Sequence, residues 1–169
     1  GTGLVGSEMC IRDSSYPFGE YNLEQKNYIS NKFEFAFGQH SGVIDLNKDK
    51  YELPRFPINE KYGEIKRFKE VISYLPLQYK IIKPENKFMN DGENPPKMTI
   101  EFFEDQKNLE NINCFSNEGS KWRKTKIVLI DNILNINFSE KFIERRGRIN
   151  CSLKDENGWR FSGFQFVQN

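Results

Sequence analysis

The chain has 169 residues, which is enough for one ordinary domain or for a partial domain followed by a small one. Its 25 Lys and Arg residues nearly balance its 24 Asp and Glu residues, so the formal net charge of +1 gives no electrostatic case for binding to nucleic acid or to an anionic membrane. No apolar run approaches the roughly 20 residues that a transmembrane helix needs, and we expect no transmembrane segment.

Residues 1–14, GTGLVGSEMCIRDS, show neither a helical nor a strand period, and they lack the plan of a signal peptide. The segment resembles the translation of a sequencing adapter that contaminates some metagenomic gene models. We therefore treat residues 1–14 as non-native, together with Cys10. This interpretation implies that a native N-terminal part, with any signal peptide, has been lost.

Residues 15–83 predict a mixture of helices and strands. Asn22 is placed to cap a helix over LEQKNYISNK, and the aromatic stretch FEFAFG predicts a buried strand. Residues 64–75 place their apolar side chains on one face of a second helix. Between them, the prolines of LPRFPI exclude the middle of a regular antiparallel ladder, so this stretch is predicted to be extended at a strand end.

Residues 84–96 are rich in Pro, Asn, Asp and Gly and predict a linker. Beyond them, residues 97–169 change to short runs that alternate or are continuously apolar. The runs are MTIEFF, NINCF, TKIVLI, NILNINF, GRINCSL and WRFSGFQFV. Short strands separated by turn residues over this length predict a small β-sandwich.

Cys114 and Cys151 each lie within a predicted strand of this β domain. Such a pair favours a disulfide, and hence a protein exported to an oxidising compartment. Two buried free thiols that pack as small hydrophobic side chains are the alternative. The spacing does not decide between them, because it does not show whether the two side chains meet.

The sequence lacks the motifs of several classes of enzyme. His40 is the only histidine, which excludes a zinc site with two histidines within this chain. Neither a glycine-rich phosphate loop nor a GxSxG elbow is present. Ser41 follows His40 directly and would point to the opposite face of a strand, so the two make a poor nucleophile–base pair.

The motifs YPFGEYN, AFGQHSGVI and LPRFPI, followed by NPPKMTIEF, NCF, GRINC and WRFSGFQF, resemble the C-terminal part of polysaccharide deacetylases. These form the NodB-homology group of carbohydrate esterase family four, and the members concerned carry a small β domain after the catalytic one. The resemblance covers residues 15–169. It implies an α+β fold, in which the last βα units of a distorted (β/α) barrel, residues 15–83, precede the β-sandwich.

The resemblance implies that a full-length parent hydrolyses acetyl groups from a cell-envelope or secreted polysaccharide. A divalent metal, expected to be zinc, would polarise the carbonyl group and activate water, and an aspartate would act as the base. The family's Asp-Asp pair and His-x-x-x-His motif are absent from this chain, so the fragment itself is expected to bind no metal and to be inactive.

The parent is accordingly expected in the periplasm or outside the cell, acting on acetylated polysaccharide and not on nucleic acid. The alternative is a non-catalytic carbohydrate-binding or interaction protein in which the β-sandwich does the binding. Trp122, Trp159 and Phe161 could then form a platform for sugar rings, or they could simply pack in the core. The run Arg145 to Arg148 could contact anionic glycans, although such runs more often mark a solvated turn.

Tyr16, Pro17, Phe18 and Gly19 match the family motif that lines the acetyl pocket and offers a backbone N–H group to the oxyanion. In this chain Ser15 stands where that motif usually has an arginine. Arg55 resembles the family arginine that orients the catalytic base, and a surface ion pair is the alternative.

Three interpretations of His40 remain open. With Gln39 beside it and glycines on either side, it could lie at the pocket as a proton donor, or contact the substrate there together with Gln39. It could also be a polar residue that satisfies a loop backbone. The acid histidine of the family lies in a differently worded motif, so the resemblance does not decide among the three.

Overall fold

The computed structural model describes residues 12–45, 47–60, 62–90 and 92–168. The first of these ranges contains a small βαβ unit, in which β1 (Asp13–Ser15) pairs in parallel with β2 (Phe35–Phe37). The connecting helix α1 (Leu23–Ser30) begins after Asn22, whose side chain accepts a hydrogen bond from the backbone of Gln25. The Gln25 side chain accepts one in return from the Asn22 backbone N–H group. The predicted cap is confirmed, in the reciprocal form of a capping box.

The second helix, α2 (Ile65–Ser73), also lies where the apolar period predicts it. Val71 is buried, but Ile65, Phe68 and Ile72 of the same face remain exposed. Neither α1 nor α2, nor any other helical segment in the described ranges, has the length and hydrophobicity needed to cross a bilayer.

Ten further strands follow α2. They are β3 (Leu75–Pro76), β4 (Ile81–Lys83), β5 (Phe88–Met89), β6 (Met98–Glu101), β7 (Asn113–Ser116), β8 (Arg123–Lys124), β9 (Lys126–Ile130), β10 (Ile133–Asn137), β11 (Arg146–Asp155) and β12 (Gly158–Gln168). One sheet has the order β4-β6-β10-β9. The other has the order β3-β12-β11-β7-β8, with β5 also paired to β12.

The predicted partial (β/α) barrel is wrong. The described residues are mostly sheet with two short helices, and they close no barrel. After α2 the chain does not return to β2, because β3 pairs with β12 of the C-terminal sheet. Among the described residues between the two helices, Leu53 alone forms a β-bridge to β2, and the prolines that follow it prevent a longer ladder.

The two sheets face each other across a single apolar core. Met98, Ile100 and Leu134 enter it from the four-stranded sheet, and Ile149 and Phe166 enter it from the six-stranded sheet. All six strand runs predicted for residues 97–169 are present, as β6, β7 and β9 to β12. The arrangement is compatible with the predicted β-sandwich.

Residues 84–96, predicted as a linker, pack onto this sandwich. β5 lies within them, and its Met89 is buried. The side-chain amide of Asn94 donates a hydrogen bond to the backbone carbonyl of Phe142 and accepts one from its N–H group. The segment therefore adds a short strand to the six-stranded sheet, where it runs parallel to β12.

Cys114 and Cys151 are direct neighbours across the β7–β11 ladder and are joined by a disulfide. Both are fully buried in the core shared by the two sheets. The cross-link therefore connects adjacent strands of one sheet, across 37 residues of sequence.

Candidate functional site

The N-terminal part of the chain covers the outer face of the six-stranded sheet. Side chains of β12 alternate between the core and this outer face, yet the strand is buried continuously from Gly163 to Val167. Gly42 forms an isolated bridge with Ser162, and the side-chain amide of Gln165 donates a hydrogen bond to the carbonyl of Gly19. Both faces of β12 are therefore covered. We call residues 16–45 and 47–59 the covering segment, and two cavities lie where this segment does not touch the sheet.

Gly163 allows a close approach between the covering segment and the sheet. A Cβ atom at this position would collide with the carbonyl oxygen of Ser41 and would lie 2.8 Å from Oδ1 of Asn150. The backbone of residues 41–42 can cross β12 at this distance only because position 163 has no side chain. The residues on either side, including His40, are placed by this contact.

An ion-pair cluster fixes the other end of the covering segment. The carboxylate of Glu20 accepts hydrogen bonds from the guanidinium groups of Arg145 and Arg146, at 3.0 and 2.9 Å. The hydrogen bond from Arg145 is the largest influence on the carboxyl group, and the pKa of Glu20 lies below its ordinary value. The side chain of Glu20 is only 12% exposed, so this contact is better shielded than an ordinary surface ion pair.

The larger cavity, of about 640 Å³, lies between residues 39–41, residues 55–59, α2 and the sheet. We call it the arginine cavity, because Arg55, Arg67 and Arg148 all line it. Trp122, which is 52% exposed, is at its rim. Gln39 and His40 complete the wall formed by the covering segment.

The three arginines of this cavity differ from every other arginine in the described residues. Arg55, Arg67 and Arg148 have no carboxylate within ion-pair distance among those residues, and the Nε atoms of the last two are buried without a hydrogen-bond partner. The arginines that do have a carboxylate partner are Arg12, Arg123, Arg145, Arg146 and Arg160. No Asp or Glu is among the described residues that line the arginine cavity. Its positive charge is therefore uncompensated by this part of the chain.

The smaller cavity, of about 440 Å³, is lined by lysines and acids together. Lys26 pairs with Asp49 at 2.9 Å and with Glu52 at 2.7 Å. Burial lowers the pKa of Lys48 to about 7, and its Nζ donates a hydrogen bond to the carbonyl of Tyr79. We call this the lysine cavity. Its positive and negative side chains largely neutralise one another. A bound counter-ion would therefore stabilise this cavity less than it would stabilise the arginine cavity.

His40 lies between the two cavities and lines both. Burial, followed by the nearby Lys87 ammonium, lowers the pKa of its imidazole to about 4, against a smaller opposing effect of the Glu52 backbone. The imidazole is therefore neutral near pH 7. A Cβ atom at Gly38 would lie 2.8 Å from Nδ1 of His40, so the ring position depends on a glycine there. A neutral imidazole can contact a ligand, but it is not a charged proton donor at this pH.

The residues that the resemblance assigned to an acetyl pocket do not form one wall. Tyr16 is buried, stacks on Tyr21 at 4.2 Å and donates a hydrogen bond to the carbonyl of Tyr51. Burial raises the Tyr16 pKa to about 12. Pro17 and Phe18 begin a short 3-10 turn on the surface, where Phe18 is 67% exposed.

Gly19 lines the lysine cavity. By contrast, Gln39, His40 and Arg55 line the arginine cavity together, and the backbone N–H group of Arg55 donates to the His40 carbonyl at 3.0 Å.

The sequence pattern did not point to Arg67, although its place in the arginine cavity is clear in the structure. Arg148 belongs to the basic run 145–148, and the strand period separates it from its buried neighbour Ile149, which is the signal that could have placed it on the outer face. The three aromatic residues proposed as a platform have different neighbours. Trp122 lines the arginine cavity, while Phe161 packs on Phe56 and Tyr74.

Within the described residues, no group of three His, Cys, Asp or Glu side chains is close enough together to hold a metal ion. The residues present therefore do not fit the divalent metal that the resemblance implies for a parent enzyme. We derive no step through such a metal from this chain.

No family model matches the chain, and no solved structure matches it. One similar curated protein is RecBCD enzyme subunit RecB of Chlamydia pneumoniae, which is 27% identical over 101 residues. The matched region is 59% of this chain but 9% of RecB. The chain thus corresponds to a small fraction of that protein, and a likeness of this extent does not show a family.

Proposed function

We propose that this chain is the C-terminal, glycan-holding part of a polysaccharide deacetylase, and that the arginine cavity is where it contacts the polysaccharide. The observation that carries the proposal is the meeting of Gln39, His40 and Arg55. The resemblance marked Gln39 and His40 in one motif and Arg55 in another, and all three line one cavity. The proposal does not include a (β/α) barrel.

The lining suits a carbohydrate. The exposed ring of Trp122 offers a flat apolar face to the C–H surface of a pyranose, while Gln39 and Asn150 provide amide groups for hydroxyl and acetamide groups. A volume of about 640 Å³ is within the range of small-ligand sites, and its walls come from preformed strands and a packed loop. The site could therefore hold a short stretch of a glycan chain.

Catalysis would need groups that this chain does not contribute. Arg55 has no carboxylate partner among the described residues, so its guanidinium remains available to orient an acidic side chain supplied by the rest of the parent protein. In the same proposal, the metal ligands and the catalytic base lie in that other part. The Cys114–Cys151 disulfide supports a periplasmic or extracellular location for the parent.

The gene sequence upstream of Ser15 tests the enzymatic part of the proposal. We expect the native gene to encode an Asp-Asp pair and a His-x-x-x-His motif before the YPFG stretch. An intact reading frame that carries neither would contradict the deacetylase and favour a non-catalytic carbohydrate-binding protein.

Binding of an acetylated oligosaccharide tests the glycan site. In titration calorimetry with chitin tetrasaccharide, we expect Trp122→Ala to weaken binding about tenfold, because Trp122 is an exposed aromatic side chain at the rim of the cavity. Trp159→Ala is a matched control, since Trp159 is similarly exposed, at 48%, and is not among the residues that line the cavity. Equal effects of the two substitutions, or no binding by the unmodified chain, would contradict the proposed site.

A further inference from the structure

We infer that the arginine cavity is an oxyanion site, and that the glycan it takes carries a carboxylate, sulfate or phosphate group on the sugar ring. This inference rests on the proposed function for the glycan part, but the anion site itself stands on the three arginines. It goes beyond acetyl recognition, because an acetamide group is neutral and needs no cationic wall.

The pairing pattern of the arginines is the main support. Wherever the described chain places an arginine outside this cavity, it also places a carboxylate beside it. The three exceptions converge on one cavity from three different parts of the chain: Arg55 from the loop after β2, Arg67 from α2 and Arg148 from β11. Guanidinium groups gathered without counter-charge repel one another and lose hydration, and a bound anion would offset both costs.

Arg148 is held in position through its backbone before any ligand arrives. Its backbone N–H group donates to Oδ1 of Asn117 at 2.6 Å, and its carbonyl accepts from the Asn117 N–H group at 3.1 Å. Asn117 itself is buried, with its amide donating to Glu144 and to the carbonyl of Arg146. These contacts fix the backbone at Arg148, and a fixed backbone reduces the conformational freedom that the side chain loses on binding.

Arg67 is also restrained, because its guanidinium lies 4.9 Å from the ring centre of Tyr62. With the Nε atoms of Arg67 and Arg148 buried, the terminal NH₂ groups are the parts left to reach a ligand. Two such groups match the paired oxygens of a carboxylate, a sulfate or a phosphate. With Trp122 at the rim, the anion would be attached to a ring that stacks on the indole.

An anionic polysaccharide fits these features better than a nucleic acid. The net charge of the chain is +1, so the positive charge of this cavity is local. Binding to a nucleic acid backbone generally depends on a basic surface that follows many phosphates. A concave site of about 640 Å³ with three arginines suits one charged sugar ring better than a long run of phosphates.

The test uses the full chain and calorimetry with four kinds of probe. Two are glycans: hyaluronan tetrasaccharide, which alternates N-acetylglucosamine with glucuronate, and its carboxyl-reduced neutral form. The others are inorganic phosphate or sulfate, and a single-stranded oligothymidylate. We expect the charged tetrasaccharide to bind at least about tenfold more tightly than the neutral form, and we expect Arg148→Gln and Arg67→Gln to remove most of that difference. Arg123→Gln is the control, because Arg123 pairs with Glu140 and is not among the cavity-lining residues. Thermal melting checks that each variant is folded.

The outcomes separate the two proposals. If neither tetrasaccharide binds but phosphate or sulfate binds and depends on Arg148, the anion site stands and the glycan function fails. If both tetrasaccharides bind equally and Arg148→Gln changes neither, the glycan function stands and the anion site is overturned. Tighter binding of a single-stranded oligothymidylate than of hyaluronan would also overturn the inference, in favour of a nucleic acid ligand.

Discussion

The imidazole of His40 links folding to pH, because its environment favours the neutral form. Desolvation by burial, and then the Lys87 ammonium, lower its pKa to about 4, from the ordinary value of 6.5. Below about pH 6.5 His40 binds a proton in the unfolded chain but stays neutral in the folded chain until the pH nears 4. The stability contributed by a neutral His40 is therefore present above this pH and is lost as the pH falls towards 4.

We predict that the free energy of unfolding decreases by about 1 kcal/mol more in the wild type than in His40→Gln between about pH 7.5 and 5.5. Glutamine fills part of the same space and does not titrate. The measurement is urea denaturation at several pH values. Lys48, whose pKa is about 7, also titrates near this window, and comparison of the two proteins removes its contribution. Parallel pH profiles would show that His40 is not enclosed as described.

At the scale of elements, β12 is the strand on which the others depend. It pairs with β11 along its length, and with β3 and β5 at separate positions on its other edge. It is covered by the core on one face and by the N-terminal segment on the other. β7 is fastened to the same sheet through β11 by the disulfide. Backbone hydrogen bonds and the disulfide therefore both stabilise the six-stranded sheet.

We predict that removing the disulfide by Cys114→Ala with Cys151→Ala lowers the free energy of unfolding by about 2–4 kcal/mol, because the unfolded chain regains the freedom of a long loop. Denaturation with and without reductant measures the effect. Cys10→Ser is the control and should keep the sensitivity of the wild type to reductant. A midpoint unaffected by reductant, or a titration that finds all three thiols free in oxidised protein, would contradict the cross-link.

At the scale of the molecule, the covering segment and the sheet form the arginine cavity only while they stay docked. Gly163 allows the close crossing, the Phe56 and Phe161 rings pack at 5.4 Å, and Glu20 joins the segment to Arg145 and Arg146. The contact of Glu20 is the most polar of these and the easiest to remove without changing side-chain size. Loss of docking should separate Arg55 from Arg148, and with it any shared ligand.

We predict that Glu20→Gln lowers stability by about 1–2 kcal/mol, because an amide replaces the charged acceptor of two arginines. Hydrogen exchange should increase in residues 16–45 more than in β9 and β10, since the covering segment loses its attachment first. Glu24→Gln is a suitable control, because Glu24 is an exposed residue in the first turn of α1. Uniform exchange in both variants would show that Glu20 does not hold the segment.

The features that depend on near neighbours were predictable from the sequence. Asn22 and Gln25 cap α1 through atoms three residues apart, and the apolar period of residues 64–75 indicates α2. The alternation within residues 146–155 separates Ile149 and Cys151 in the core from Arg148 on the outer face. Each of these signals is short in range and independent of what the element packs against.

Strand partners and the binding cavity depend on contacts between distant residues, which no local period encodes. The barrel prediction was wrong because the chain after α2 does not pair with β2 but adds to the edge of β12 as β3. Likewise, Arg55, Arg67 and Arg148 are separated by many residues and meet only because one segment lies across the sheet at Gly163. The sequence by itself determined α1, α2 and the six strand runs of residues 97–169, with the faces of those strands that are apolar. Only the tertiary structure decided which strand edges pair and which arginines meet in one cavity. Both depend on the packing of residues that are distant in the sequence, and so on the free energy of the whole folded chain.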